Sequence, residues 1–130
     1  MNIAIRTDNE DTEITILSKD GKQIASERWR SGRELSNQLL ARLTDMVERH
    51  NYDWPKIEGV IVFTGPGSFT GLRIGVTVAN TIAYALDIPI IGTLGISWVE
   101  EGVVRLNKGE NEIQVVPHYG SEPNISKPKR

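Results

Sequence analysis

The sequence contains no cysteine, only two histidines and few aromatic residues. The absence of cysteine excludes disulfide bonds, a thiol nucleophile and a thiolate zinc site. The two histidines, His50 and His118, lie far apart in the sequence. We expect them to be solvated surface side chains rather than a metal pair or a catalytic base. The sequence also has no apolar run that approaches the roughly 20 residues of a membrane-spanning helix.

Length and charge narrow the class of protein further. The chain has 130 residues and a formal net charge of -2, so no global basic field draws it to nucleic acid or to a membrane. The first ten residues, MNIAIRTDNE, contain no apolar segment typical of a signal peptide. We therefore expect a soluble, cytoplasmic protein with one small core, without membrane association, metal or cofactor.

Hydrophobic periodicity predicts an α/β fold with a mixed five-stranded sheet and two main helices. The Asp20-Gly21 dipeptide favours a tight hairpin between the second and third strands. A strand, a glycine-rich loop, a helix and another strand then form a right-handed βαβ unit. The expected strands cover residues 3–5, 12–17, 23–29, 59–63 and 88–93, and the expected helices cover residues 33–50 and 69–86.

The end of the chain has a weaker pattern. Residues 96–107 fit one more short helix, and residues 113–116 fit a last short strand. Residues 120–130, GSEPNISKPKR, are polar and contain two prolines, which is typical of a free tail or one that orders on contact. We therefore divide the chain into a lobe over residues 1–110 and a short strand with a polar tail over residues 111–130.

The glycine-rich stretch FTGPGSFTGLRIG, residues 63–75, lies between a strand and a helix, where phosphate loops are found. A P-loop requires Lys after its second glycine, and here no lysine follows. The dinucleotide pattern also fails, because Gly71 is one position too late. We therefore predict a structural loop, in which Ser68 or Thr70 caps the helix and binds an anion weakly at most. The residues assigned to this loop are Gly65, Pro66, Gly67, Ser68 and Arg73.

The helix after the loop carries small residues at every fourth position: Gly71, Gly75, Ala79 and Ala83. Two interpretations remain open for this stripe. It packs tightly against the chain's own sheet, or it lets a helix of a partner protein approach. Arg73 lies in the first turn, where a cation opposes the helix dipole. We expect a carboxylate or carbonyl beside it, in this chain or in a partner.

The string GPGSFTGLRIG, residues 65–75, resembles the signature of the TsaB family, also called YeaZ. The resemblance continues through IPIIGTLGI, residues 88–96, and covers the chain from Met1 to about Leu106. The segment PHYGSEPNISKPK, residues 117–129, is similar to the family's C-terminal segment. The resemblance implies an actin/Hsp70-like (ribonuclease H-like) lobe.

The resemblance also implies a function. TsaB-like proteins are noncatalytic scaffolds that activate the homologous TsaD, which modifies adenosine 37 of ANN-decoding tRNAs with a threonylcarbamoyl group. A TsaE ATPase joins the complex, and tRNA is bound only indirectly by the TsaB-like subunit. Members pair with TsaD or with themselves through a four-helix bundle. The residues expected at this interface are Ser36, Leu40, Gly71, Leu72, Gly75, Val78, Ala79, Ile82 and Ala83.

The sequence departs from the family in three ways. Family members have two lobes, so we expect a short form that lacks the second lobe. The first strand ends in Arg6-Thr7-Asp8 where the family has an Asp-Thr-Ser-like turn, and Leu35-Ser36 stands where the family has His-Ser. Both changes favour a noncatalytic protein. The alternatives are a freestanding kinase-like or peptidase-like enzyme and a homodimer without a role in tRNA modification.

Overall fold

A computed structural model describes residues 1–118 of the chain. Five strands form one mixed sheet in the order β3-β2-β1-β4-β5. The first three strands pair antiparallel, whereas β4 lies parallel to both β1 and β5. The strands are β1 (Asn2–Arg6), β2 (Asp11–Leu17), β3 (Gln23–Arg30), β4 (Gly59–Phe63) and β5 (Ile90–Thr93).

Three α-helices cover the two faces of this sheet: α1 (Leu35–Arg49), α2 (Phe69–Leu86) and α3 (Trp98–Asn107). Short 3-10 turns at Gly32–Glu34 and Trp54–Lys56 precede α1 and β4. Helices α1 and α2 pack on one face and α3 on the other, as the two separate apolar clusters show. Among residues 1–118, no helix is both long enough and apolar enough to cross a membrane.

The two clusters follow from the alternation of side chains along the strands. Ile3 and Ile5 of β1 face α1 and α2, whereas Ala4 faces α3. Strand β4 is apolar along its whole length because both of its faces are covered. Helix α1 inserts one stripe into the larger cluster, made of Leu35, Leu39, Leu43, Met46 and Val47.

The predicted order of strands and helices is confirmed, including the bounds of β4 and α2 and the short third helix. The prediction of a strand over residues 113–116 is wrong, because no strand forms there. Ile113 has a φ of 67°, a left-handed conformation that breaks an extended chain. The amide oxygen of Asn111 also accepts the backbone N–H of Ile113 at 2.8 Å. The polar tail beyond residue 118 lies outside the described residues.

Candidate partner-binding surface

The glycine loop is fixed to the end of β1 by two hydrogen bonds. The backbone N–H of Ser68 donates to the carbonyl of Asp8 at 2.7 Å. The hydroxyl of Thr7, which is fully buried, donates to the carbonyl of Gly71 at 2.7 Å. The hydroxyl of Ser68 in turn caps α2 by accepting the N–H of Gly71 at 3.2 Å. The loop therefore sets where α2 begins and how it lies on the sheet.

Several glycines are needed because Thr7 and Asp8, which follow β1, lie so close to the loop and to α2. A Cβ at Gly71 would overlap the carbonyl oxygen of Thr7, and one at Gly75 would overlap the Thr7 hydroxyl. A Cβ at Gly67 would lie 2.6 Å from the carbonyl oxygen of Asp8. Gly65 has a φ of 126°, which side chains rarely tolerate. Pro66 follows it through a cis peptide bond.

The small-residue stripe of α2 therefore faces the chain's own core. Gly71, Gly75, Ala79 and Ala83 are all buried, and the two alanines belong to the cluster between α1 and the sheet. Leu72 is fully buried in the smaller cluster, which lies on the face of the sheet that α3 covers and also contains Trp98. These five residues are buried by contacts within the chain, which favours the first of the two interpretations above. That they contact a partner stays a prediction.

A different side of α2 lines an open groove beside α1. The groove has a volume of about 360 Å³ and continues into a second depression of about 260 Å³, because Thr77 and Val78 line both. We call this feature the outer groove. Its lining residues are Ser36, Leu40, Trp54, Arg73, Ile74, Thr77, Val78, Thr81, Ile82, Ala85 and Leu86.

Four of the nine expected interface residues line the outer groove: Ser36, Leu40, Val78 and Ile82. The sequence reasoning missed Thr77, Thr81 and Ala85, which form a second small-residue stripe along α2 at four-residue spacing. That spacing is visible in the sequence, but threonine is larger and more polar than glycine or alanine, so the stripe is less distinct. Trp54 was also missed, because it comes from the turn after α1 and no helical pattern contains it.

Arg73 is exposed at one end of the outer groove. Its guanidinium lies 5.7 Å from the centre of the Phe69 ring, and it forms no ion pair with any of residues 1–118. The carboxylate or carbonyl expected beside Arg73 is therefore not provided by residues 1–118, since Arg73 donates no hydrogen bond to either kind of group there. At the opposite end, the lining is apolar, with Leu40, Trp54 and Leu86.

A polar cleft of about 510 Å³ opens where the N-terminal ends of α1 and α2 meet the β1–β2 turn. Its acidic groups are already bound. Asp8 pairs with Arg6 through two hydrogen bonds of 2.8 and 3.1 Å, and Glu10 pairs with Arg30. The Asp8 hydrogen bond raises the pKa of Arg6 above its ordinary value.

The guanidinium of Arg6 also lies 4.0 Å from the centre of the Phe63 ring, so Arg6 is held on two sides. Among residues 1–118, no group of three or more His, Asp or Glu side chains is arranged to hold a metal ion. Among the hydrogen bonds of residues 1–118, no Ser or Thr hydroxyl is paired with a His, Asp or Glu side chain.

Comparison with known proteins identifies the family of the chain. The family model described as TsaD, tRNA N6-adenosine threonylcarbamoyltransferase, matches residues 29–103, more than half of the chain. The TsaB protein of Haemophilus influenzae, named as a tRNA threonylcarbamoyladenosine biosynthesis protein, is 22% identical over 114 residues. The match covers 88% of this chain and 48% of that relative. This chain belongs to the TsaB (YeaZ) family.

Solved structures confirm the ribonuclease H-like fold of this TsaB-family chain. The structure of YeaZ from Pseudomonas aeruginosa superposes with a TM-score of 0.67 at 24% identity, covering 75% of this chain and 46% of that one. RuvC of T. thermophilus, solved with a Holliday junction, superposes with a TM-score of 0.52 at 10% identity, covering 96% and 86%. The chain spans about half the length of the TsaB and YeaZ relatives it matches.

Proposed function

We propose that this TsaB-family protein is a noncatalytic subunit that binds a TsaD-like enzyme through the outer groove. In that complex it supports threonylcarbamoylation of adenosine 37 in ANN-decoding tRNAs, with a TsaE-like ATPase as a further member and tRNA bound only indirectly. The observation that carries the proposal is the outer groove itself, an apolar and open surface on the two helices that the family uses for pairing.

The walls of the outer groove suit a helix of the partner. Leu40 is half exposed on one wall, and Val78 and Ile82 form the other. The groove side of α2 carries small side chains at Thr77, Thr81 and Ala85. Another helix can therefore approach α2 closely. Trp54 closes one end and offers the large, rigid apolar surface that is frequent in binding hot spots. Helix-in-groove recognition uses such a surface.

The positive charge of Arg73, at the end of the outer groove away from Trp54, gives a bound helix a preferred direction. Arg73 has no ion-pair partner among residues 1–118, so a carboxylate on the partner helix would satisfy it. Such an ion pair adds about 1 kcal/mol or less at an exposed site, but it penalises the reversed orientation. In the absence of a TsaD-like protein, we expect a second copy of the chain to cover the groove.

The noncatalytic role is supported by the ion pair that already occupies the carboxylate of Asp8. Asp8 follows β1 and is bound by Arg6, and Arg6 itself is stacked on Phe63. A freestanding kinase-like or peptidase-like enzyme would need a carboxylate or nucleophile that is free to act. Calorimetry separates the two functions. Micromolar affinity of the isolated chain for ATP would contradict a purely noncatalytic role.

The proposal is tested by co-purification with the TsaD-like protein of the same organism. We expect the unmodified chain to bind it, and Leu40→Glu or Val78→Glu to abolish binding, because each places a charge in the apolar part of the outer groove. Tyr84→Glu is the matched control, since Tyr84 is exposed on α2 but lies outside the groove. Equal binding by all four proteins would contradict the proposal.

A further inference from the structure

The outer edge of β5 is closed by a segment that is not a strand. Residues 110–116 follow α3 and run along this edge. The carbonyl of Ile90 accepts the backbone N–H of Glu112 at 2.9 Å. The N–H of Ile90 donates to the side-chain oxygen of Asn111 at 3.0 Å, and the N–H of Gly92 donates to Glu112 Oε1 at 3.0 Å. Side chains therefore satisfy both outward N–H groups of β5.

Arg105 of α3 holds the acidic caps in position. Its Nε donates to Glu110 and its Nη2 donates to Glu112, both at 2.7 Å. Its Nη1 lies 3.3 Å from the carbonyl oxygen of Gly92, the remaining outward acceptor of β5. These two carboxylates raise the pKa of Arg105 above its ordinary value. All four outward backbone groups of Ile90 and Gly92 are thus occupied without a sixth strand.

The far end of the segment is fixed to α2 by a single side chain. The amide of Asn80 donates to the carbonyl of Val115 at 2.9 Å and accepts the N–H of Val115 at 2.9 Å. Val115 itself is buried, in the cluster between the sheet and α1 and α2. Between the caps and this contact, the left-handed Ile113 turns the chain out of the extended conformation.

We propose that residues 110–116, which we call the β5 strap, shield the edge of the sheet from pairing with another strand, and that Asn80 is the latch of the strap. A sixth strand would only have moved the unpaired edge outward. Side-chain caps end the ladder instead, since they leave no new row of backbone donors. The opposite edge, β3, is protected differently, by the charged side chains of Glu27, Arg28 and Arg30.

Amide hydrogen exchange followed by NMR tests the latch. We expect Asn80→Ala to accelerate exchange at Ile90 and Gly92 by about tenfold, because local opening of the strap then costs less. The amide of Val62, inside the sheet, should keep its rate. Asn107→Ala is the matched control, because Asn107 donates one side-chain hydrogen bond to Lys19, away from the strap. Unchanged exchange at Ile90 and Gly92 in a folded Asn80→Ala protein would overturn the latch.

A second variant keeps the proposal testable if Asn80→Ala does not fold. Asn111→Ala removes the cap of Ile90 and the hydrogen bond from the Ile113 N–H, and it leaves the Glu112 cap of Gly92 in place. Of the two capped amides of β5, we expect faster exchange at Ile90 and an unchanged rate at Gly92. Equal rates at Ile90 in the variant and the parent would overturn the capping. The shielding is tested on the same samples by raising the protein concentration. If the uncapped β5 edges of two molecules pair, exchange at Ile90 should slow again as the concentration rises. Fast exchange at every concentration would show that the uncapped edge does not pair, and would contradict the shielding.

Discussion

The two sides of α2 carry similar stripes of small residues but have different roles. Gly71 and Gly75 on the inner side leave no room for a Cβ, because Thr7 of the same chain lies against them. Thr77 and Thr81 on the outer side face an open groove. A stripe of small residues thus predicts that something approaches the helix closely. It does not predict whether the approaching element belongs to the same chain.

Because the inner and outer sides of α2 differ in this way, the same kind of substitution should have opposite effects on the two sides. On the inner side, added volume should destabilise the fold and leave no folded protein to bind a partner. On the outer side, added volume or charge should leave the fold intact and change association only.

The largest effect is expected for Gly75→Leu. Its side chain would overlap the Thr7 side chain, whose Cβ would lie only 3.0 Å from the added Cβ, so Thr7 or α2 has to shift. Overpacking typically costs about 1–3 kcal/mol, and a clash with the backbone-anchored Thr7 should place this variant at or above the upper end. Circular dichroism during thermal unfolding measures the loss. A Gly75→Leu protein that melts at the same temperature as the parent but fails to associate would show instead that Gly75 lies at the partner interface.

A smaller loss of stability is expected for Thr7→Val. The substitution keeps the shape of the side chain but removes the buried hydrogen bond to the carbonyl of Gly71. Losing one such bond typically costs about 1 kcal/mol. Denaturant unfolding should show a lower midpoint with an unchanged slope. Thr81→Val is the control, because the Thr81 hydroxyl bonds to Thr77 at an exposed position and its loss should change the midpoint little.

On the outer side, Thr77→Leu should change the free energy of unfolding by no more than about 0.5 kcal/mol, as is usual for exposed positions. The larger side chain would fill the point where the two parts of the outer groove join. Sedimentation velocity should show weaker self-association, and co-purification should show weaker binding of the TsaD-like protein. Loss of stability without any change in association would mean that Thr77 belongs to the core.

The smallest effect is expected for Arg73→Ala. The guanidinium is exposed, so its ion pair with a partner carboxylate should contribute less than about 1 kcal/mol and weaken as salt is added. Titrations at low and high ionic strength should therefore differ for the parent and converge for the variant. An identical salt dependence for both proteins would remove Arg73 from the interface.

Much of the fold could be predicted from the sequence because local signals determine it. The continuous apolar run of β4 and the Ser68 cap of α2 fix the bounds of both elements. The direction in which α2 faces could not be predicted. It depends on Thr7, which lies 64 residues from its hydrogen-bond partner Gly71. No periodic pattern connects two residues at that distance.

The end of the chain was predicted less well for a related reason. Three of the four residues over 113–116 are apolar and β-branched, namely Ile113, Val115 and Val116, which favours a strand. In the structure, Asn80, Asn111 and Glu112 supply hydrogen bonds that a strand would have made with its backbone. Such side-chain capping is decided by tertiary contacts, and the composition of the segment contains no sign of it.

We propose that the partner binds to the outer groove and not to the inner stripe of α2. Because the chain has no cysteine, a single introduced thiol can report on one position at a time. Thr81→Cys places that thiol in the outer groove, and Tyr84→Cys places it on exposed α2 outside the groove. On saturation with the TsaD-like protein, we predict that thiol alkylation slows strongly at position 81 and stays fast at position 84. Equally fast alkylation at position 81 with and without bound partner would contradict the account.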